Sequence, residues 1–246
     1  MNLAEKRVWL LPSLTMAVLL ILGIGAFFLY FQDVFVARRL ARTNPELALS
    51  LLDLPDNRIS KAPGTRLSYL GYSFEAPWRD LDSANVKVRG NTAIIPFHSG
   101  IFIVLMTNSS REILDTLEKP NREIMNRQFC SVYGLEACES DYGFMKTVFT
   151  TTPNEISWRT PRRKGQAELY LLLLRMGLSL DKSGTFSVQT QGFKGFQFGD
   201  LAKNNGKKLI DDLYSGEGKV QFIFGSRAGR LSQPEINRVL QTLTAL

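Results

Sequence analysis

The segment NTAIIPFHSGIFIVLMTN, residues 91–108, determines the fold class. It contains two apolar runs, AIIPF and IFIVLM, separated by His98, Ser99 and Gly100. Two β-branched runs joined by a short turn that contains glycine predict a β-hairpin. The second run is apolar at every position, which predicts a central strand that is covered on both faces.

Further strand signals lie on both sides of this hairpin. Upstream are RLSYLGYSFEAPW (66–78) and ANVKVRGN (84–91), both short and rich in aromatic or β-branched residues. Downstream, residues 184–226 hold GTFSVQT, GFKGFQFG, GKKLIDDLYS and GKVQFIFGS, separated by turns that contain glycine. These runs have the length and composition of strands.

Helix signals fall between and after the strands. Ser109 with Glu112, and Ser232 with Glu235, have the capping-box spacing, and each pair precedes a helical apolar stripe. Asp141 begins a shorter helical stretch. The order of strands, helices, strands and a final helix predicts an α+β fold, in which an antiparallel sheet packs against several α-helices.

One helix is expected to be central. The run AELYLLLLRMGLSL, residues 167–180, is apolar nearly all round, which predicts a helix buried in the core. Its apolar part is too short to span a membrane.

The N-terminal run RVWLLPSLTMAVLLILGIGAFFLYFQD, residues 7–33, has no charged residue from position 8 to 31. At a rise of 1.5 Å per residue this stretch reaches about 36 Å, against roughly 30 Å of hydrocarbon in a bilayer. It predicts an uncleaved transmembrane helix over residues 8–31 that would contact the lipid bilayer, rather than a cleaved signal or a buried soluble helix.

The organisation that follows from this helix has five parts. Residues 1–7 would be a short tail, 8–31 the transmembrane helix, 32–54 a juxtamembrane helical stalk, 55–66 a linker rich in proline, glycine and polar residues, and 67–246 a soluble domain. By count, Arg38, Arg39 and Arg42 favour a cytoplasmic domain under the positive-inside rule. Lys6 and Arg7, directly before the apolar run, favour a cytoplasmic N-terminus with the domain outside an inner or plasma membrane, which is the preferred orientation.

The two cysteines, Cys130 and Cys138, are close enough in sequence for a turn at Gly134 to join them. A disulfide is expected in an oxidising compartment, and reduced structural thiols are the alternative in the cytosol. The spacing fits no zinc site.

The chain carries a net charge of +7, concentrated in two groups. The first is juxtamembrane and consists of Arg38, Arg39 and Arg42; the second is a possible basic contact loop, Arg162, Arg163 and Lys164. Anionic lipid headgroups could attract the first group. A solvated loop is the simpler interpretation of the second. No zinc-finger or RNA-binding motif occurs, so nucleic acid is an unlikely partner.

Residue types that carry chemistry are sparse. His98 is the single histidine, so a cluster of histidine metal ligands is impossible, and an exposed turn residue is the simpler interpretation of His98 than a catalytic base. Asp80 and Asp82 could share one side of a loop, whereas Asp211 and Asp212 would point to opposite faces of a strand. Neither GFKGFQFG nor FGSRAG has the spacing of a nucleotide-binding or nucleophile motif. We therefore expect no cofactor and no metal.

These observations favour a single-pass membrane-anchored protein whose extracytoplasmic α+β domain binds another envelope protein or a small ligand without catalysis. The first alternative is a membrane-tethered enzyme, which would require a pocket that joins His98 to a serine and an acid. The second is a cytoplasm-facing domain with a basic surface for lipid or nucleic acid, whose binding would weaken steeply with salt. A shallow apolar groove would favour binding.

Overall fold

A computed structural model describes residues 20, 25, 27, 31–108, 130–134, 137, 140–178, 184–216 and 218–246 of the chain. Its strands are β1 (Leu52–Asp53), β2 (Thr65–Tyr69), β3 (Tyr72–Ala76), β4 (Lys87–Arg89), β5 (Thr92–Pro96), β6 (Ile101–Asn108), β7 (Thr185–Gln189), β8 (Lys194–Phe198), β9 (Lys208–Tyr214), β10 (Lys219–Ser226) and β11 (Thr244–Ala245). Its helices are α1 (31–43), α2 (Asp141–Thr150), α3 (Arg162–Leu178) and α4 (Gln233–Gln241), and short 3-10 turns cover Pro45–Ala48, Ser83–Asn85 and Pro153–Glu155.

The strands form two sheets. The larger has eight strands in the order β1-β7-β8-β9-β10-β6-β5-β4, and the smaller has the order β11-β3-β2. Every pair is antiparallel except β1 with β7, which makes the larger sheet mixed. The α+β class is confirmed. The predicted hairpin is β5–β6, and β6 lies inside the sheet between β5 and β10.

Each face of the large sheet has its own core. Leu209, Leu213 and Phe222 lie on one face and pack with α4 and the small sheet. Phe196 and Ile210 lie on the other face and pack with α2 and α3. Both faces are covered because side chains alternate along β9, so neighbouring residues of one strand contribute to opposite cores.

The final helix is predicted correctly. Ser232 precedes α4, and the Glu235 carboxylate accepts hydrogen bonds from the backbone N–H and hydroxyl of Ser232, at 3.1 and 2.7 Å. Ile236 and Val239 are fully buried on the apolar face of this helix. The capping pair sets where the helix begins, and the apolar stripe sets which face it buries.

Residues 162–178 form a helix, α3, but the prediction that the helix over residues 167–180 is apolar and buried nearly all round is wrong. Leu173 and Met176 of α3 are 49% and 38% exposed, whereas Glu168 and Arg175 are buried. Arg175 is held inside because its guanidinium donates to the carbonyls of Leu47, Leu49 and Thr151. The helix therefore lies over α2 with a polar side chain inward, and its leucines are divided between core and surface.

The transmembrane prediction for residues 8–31 is corrected by the structure. Within the described part of the chain, no helix combines the length and the apolar composition needed to cross a bilayer. Of the predicted span, positions 20, 25, 27 and 31 are described, and the others lie outside the described residues. The single-pass membrane location that rested on this helix is withdrawn with it. Val34 and Ala37 of α1 are buried against Ile156 and Leu172 of the domain.

The predicted stalk and linker are parts of the folded domain. After α1 and the 3-10 turn at Pro45–Ala48, the chain forms β1 at the edge of the large sheet instead of continuing as a helix. Residues 55–62 then run along α4, where Asn237 Nδ2 donates to the carbonyls of Asp56 and Arg58 at 2.7 and 2.8 Å. The composition of this linker is loop-like, but hydrogen bonds fix its backbone.

The predicted Cys130–Cys138 pair falls partly outside the described residues. Cys130 lies in a helical stretch at 130–133, Gly134 follows with a φ of +84°, and Cys138 is not described. No free cysteine occurs among the described residues, so Cys130 is not a free thiol. The predicted helix that begins at Ser109 and Glu112 also lies outside the described residues.

Candidate functional site

An open groove crosses one end of the molecule, where the two sheets meet. It consists of two adjoining cavities of about 760 and 430 Å³. Both are lined by the tip of the β7–β8 hairpin, at Gly192 and Phe193, and by the β9–β10 turn, at Ser215 and Gly216. We call these two cavities the hairpin groove.

Phe193 lines both cavities of the hairpin groove. The backbone N–H of Thr190 donates to the Phe193 carbonyl at 2.9 Å, and Gly192 adopts a φ of +96°, a conformation that favours glycine. This tight turn directs Phe193 inward, where it is buried with its ring centroid 6.2 Å from that of Tyr72 in β3. The contact fixes the hairpin tip against the small sheet.

The β9–β10 turn forms the opposite wall. The Ser215 backbone N–H donates to the Gly218 carbonyl at 3.0 Å, and this bond closes the turn. Gly216 lines both cavities, and a Cβ added there would meet no atom within 4 Å. The groove is therefore open at Gly216, which makes this position suitable for a blocking side chain.

The larger cavity follows the edge strand β11. Its lining includes every residue from 241 to 245, and β11 pairs with β3 on one side only. An edge strand of this kind directs alternate N–H and C=O groups away from its partner. The larger cavity thus has an open backbone edge along one wall.

The charged side chains of the larger cavity are held by the protein itself. Arg66 Nε donates to Ser73 Oγ at 2.9 Å. The Glu75 carboxylate pairs with the Arg238 guanidinium at 2.7 Å, and its backbone N–H donates to Thr242 Oγ1. Because these groups are fixed before anything binds, a ligand would not have to order them.

The smaller cavity has aromatic walls. Tyr142, Phe193 and Tyr214 line it, and the Tyr142 ring stacks on Phe196 with centroids 5.3 Å apart. The Tyr214 hydroxyl is enclosed and has no hydrogen-bond partner among the described residues. Burial raises the pKa of Tyr214, and the carboxylates of Asp212 and Asp141 raise it further, so the phenol stays protonated and is a donor.

The groove offers a defined set of contacts to a ligand. Aromatic walls come from Tyr142, Phe193 and Tyr214, hydroxyl groups from Thr190 and Ser215, and a cation from Lys194 at the rim. This combination suits the retention of an extended ligand that has both apolar groups and carbonyl oxygens.

The structure places His98, Ser99, Asp80 and Asp82 together, away from the groove. His98 Nδ1 lies 3.9 Å from Asp82 Oδ2, and the Ser99 backbone N–H donates to the Asp80 carboxylate. Burial raises the pKa of Asp80, but the hydrogen bond from Ser99 and the proximity of His98 outweigh it, so the pKa is lowered overall.

This cluster lacks an accessible nucleophile. The Ser99 hydroxyl is enclosed, whereas 68% of the His98 side chain is exposed to solvent. A Ser-His-Asp site needs its serine within reach of both the histidine and a substrate. The bond of Asp80 to Ser99 instead fixes the β5–β6 turn, and the bond of Asp82 to Asn85 fixes the 3-10 turn at Ser83–Asn85.

Asp211 and Asp212 face opposite sides of β9, as predicted. Asp211 is fully buried, and its carboxylate has no hydrogen-bond partner among the described residues. Burial raises the pKa of Asp211 well above its ordinary value, and the charge of Asp212 raises it further. Asp212 on the other face pairs with Lys219 at 2.7 Å and accepts a hydrogen bond from Gln221.

The two basic groups, which are distant in sequence, meet in the structure. Arg162, Arg163 and Lys164 form the first turn of α3 instead of a loop. Arg38 of α1 lies over the Trp158 ring at 5.3 Å, and Arg39 and Arg42 are exposed on the same helix. Arg162 faces Asp33 of α1, so α1 brings the first basic group beside the second.

The hairpin groove could not be predicted from the sequence. Gly192 and Gly216 mark turns, but turns alone do not show that two hairpin tips lie beside the same edge strand. Phe193 and Tyr214 have the pattern of ordinary core residues, and nothing in a sequence shows that a tyrosine hydroxyl is left unpaired.

Comparison with known proteins assigns this chain to no family. Neither the protein-family models nor the curated proteins contain a significant match to this chain.

Proposed function

We propose that the α+β domain is a non-catalytic binding domain that holds an extended peptide segment in the hairpin groove. The observation that carries this proposal is the juxtaposition of an open strand edge, β11, with a cavity whose walls include the aromatic residues Tyr142, Phe193 and Tyr214. The first could supply backbone hydrogen bonds to a peptide, and the second could receive one of its side chains.

The fixed walls of the groove support a ligand of this kind. The neighbouring walls are held by internal hydrogen bonds and by the Phe193–Tyr72 contact. The groove is thus preorganised, which reduces the entropy lost on binding.

The test is a blocking substitution with a matched control. Peptides are first selected from a random 12-residue display library on the unmodified protein. Gly216→Phe places a ring in both cavities, and we expect it to weaken the binding of the selected peptides by at least about tenfold, measured by calorimetry. Gly177→Phe places the same side chain on the exposed side of α3, where an added Cβ also meets no atom, and should leave affinity within about twofold.

Tyr214→Phe provides a second test with two readouts. Removing the unpaired hydroxyl should stabilise the free domain slightly, because no hydrogen bond is lost. It should leave the affinity for the selected peptides within about twofold, because the hydroxyl is enclosed and the ring stays in the wall. Failure to enrich any peptide, or full affinity in the Gly216→Phe protein, would contradict the proposal.

A further inference from the structure

A second surface lies apart from the hairpin groove, around Trp158. Phe31 and Phe35 are four residues apart in α1, so their side chains lie on one face of it, and the Phe27 ring lies 4.8 Å from that of Phe31. Their ring centroids are 5.7, 4.9 and 5.3 Å from that of Trp158. We call these four aromatic residues, with the cations around them, the basic-aromatic face.

The rings of this face are unusually exposed for their size. Phe27, Phe35 and Trp158 are 47%, 37% and 38% exposed. A single exposed ring needs no explanation, but adjoining exposed rings are typical of a contact surface. The rings pack on one another and form one contiguous aromatic patch.

The cations beside these rings come from two separate parts of the chain. The exposed ones are Arg38, Arg39, Arg42, Arg159, Arg162, Arg163 and Lys164. The acids among them are mostly withdrawn from solvent: Asp33 and Glu168 are buried, and Glu155 is the exposed one, with its carboxylate accepting from Thr152. The face therefore presents a strongly positive surface.

We propose that the basic-aromatic face docks an acidic protein segment that also carries apolar side chains. Charge complementarity selects an anionic partner. Six of the seven cations are arginine, which pairs with carboxylates in a bidentate manner, and arginine with tryptophan is the composition of binding hot spots.

The experiment uses defined probes and the full chain. The first probe is a fluorescein-labelled peptide in which glutamate alternates with leucine and phenylalanine, and the second has lysine in place of glutamate. We expect the acidic peptide to bind with an affinity that falls by about tenfold between 50 and 300 mM salt, and the basic peptide not to bind.

Two variants locate the binding. Arg159→Ser with Arg163→Ser should weaken the acidic peptide by about tenfold, whereas Lys87→Ser with Arg89→Ser, which removes the same charge from β4, should change it by less than about twofold. Lys164 and Arg162 are left in place because they face the carboxyls of Glu168 and Asp33. Trp158→Ala alone should also weaken binding of the acidic peptide, and thermal unfolding checks that this variant is folded.

Several outcomes would overturn the inference. Equal losses in the two double-serine variants would mean that the effect is one of net charge and not of this face. Tighter binding of phosphatidylcholine vesicles with one-third phosphatidylserine, or of polyuridylate, would assign the face to lipid or RNA instead. Should Trp158→Ala unfold, the paired arginine and lysine variants still decide the question. Because none of these residues lines the hairpin groove, the result is independent of the peptide proposed for that groove.

Discussion

At the scale of single residues, Asp211 is the most unusual feature of the sheet. Its carboxyl lies in the middle of β9, with Gln197 of β8 and Phe222 of β10 as its register partners. The group is fully buried and has no hydrogen-bond partner among the described residues to stabilise a charge. It is therefore neutral in the folded protein and ionised in the unfolded chain at neutral pH.

Asp211→Asn should stabilise the protein at neutral pH. A carboxyl whose pKa is raised by folding contributes its full stability below its ordinary value of 3.8 and loses it as pH rises toward the folded pKa. The advantage of the asparagine variant should therefore grow with pH, by up to about 1.4 kcal/mol per pH unit. Urea unfolding of both proteins between pH 4.5 and 8 measures it.

Asp212→Asn is the matched control for this prediction. Asp212 is paired with Lys219 and Gln221, so its neutralisation removes favourable contacts and should lower stability. If both variants shift stability in the same direction, the burial of an unpaired Asp211 is not the cause. The sequence predicts that these two acids face opposite ways, because strand side chains alternate. Which of them lacks a partner depends on the neighbouring strands and is not visible in the sequence.

At the scale of elements, prediction succeeds where local patterns agree with their surroundings. The β5–β6 hairpin and α4 follow directly from their apolar runs and turn or capping residues. Prediction fails for the burial of α3, because the buried Arg175 guanidinium donates to carbonyls of segments more than 20 residues away in sequence. The carbonyls that bind Arg175 are distant from it in sequence, and the two hairpin tips of the groove are distant from each other. Local sequence patterns therefore do not predict these contacts.

Asn237→Ala tests the attachment of residues 55–62 to α4. Its amide donates to the carbonyls of Asp56 and Arg58 and accepts from Gln233. Removing it leaves buried polar groups unpaired and should destabilise the domain by about 1–3 kcal/mol. Chemical denaturation gives the value. Gln241→Ala, at the exposed end of the same helix, should cost at most about 0.5 kcal/mol, and equal costs would contradict the attachment.

At the scale of the whole molecule, α1 joins the N-terminal part of the chain to the domain. Ala37 is fully buried, and Val34 beside it packs on Ile156 and Leu172. This interface explains why the sequence interpretation of residues 32–54 as a free stalk differs from the structure. Apolar residues that alternate with arginines fit an exposed helix and a docked one equally well.

Ala37→Glu should undock α1. A carboxylate in this apolar contact has no partner and would have to reach water. We expect trypsin to cleave at Arg38, Arg39 and Arg42 at least about tenfold faster, while the amide exchange of the central strands stays slow. Ala48→Glu introduces the same charge at an exposed position and should leave the cleavage rate unchanged. Equal rates in both variants would show that α1 is already open.

The attachment of residues 55–62 and β3 to α4 also bears on how the chain folds during its synthesis. The bond from Asn237 to Asp56 joins residues 181 positions apart, and the Arg238–Glu75 pair spans 163. The early β2–β3 hairpin therefore leaves the ribosome long before the helix that covers it. Until residues 233–245 emerge, its apolar face lacks its native cover, because folds with such distant partners are completed late.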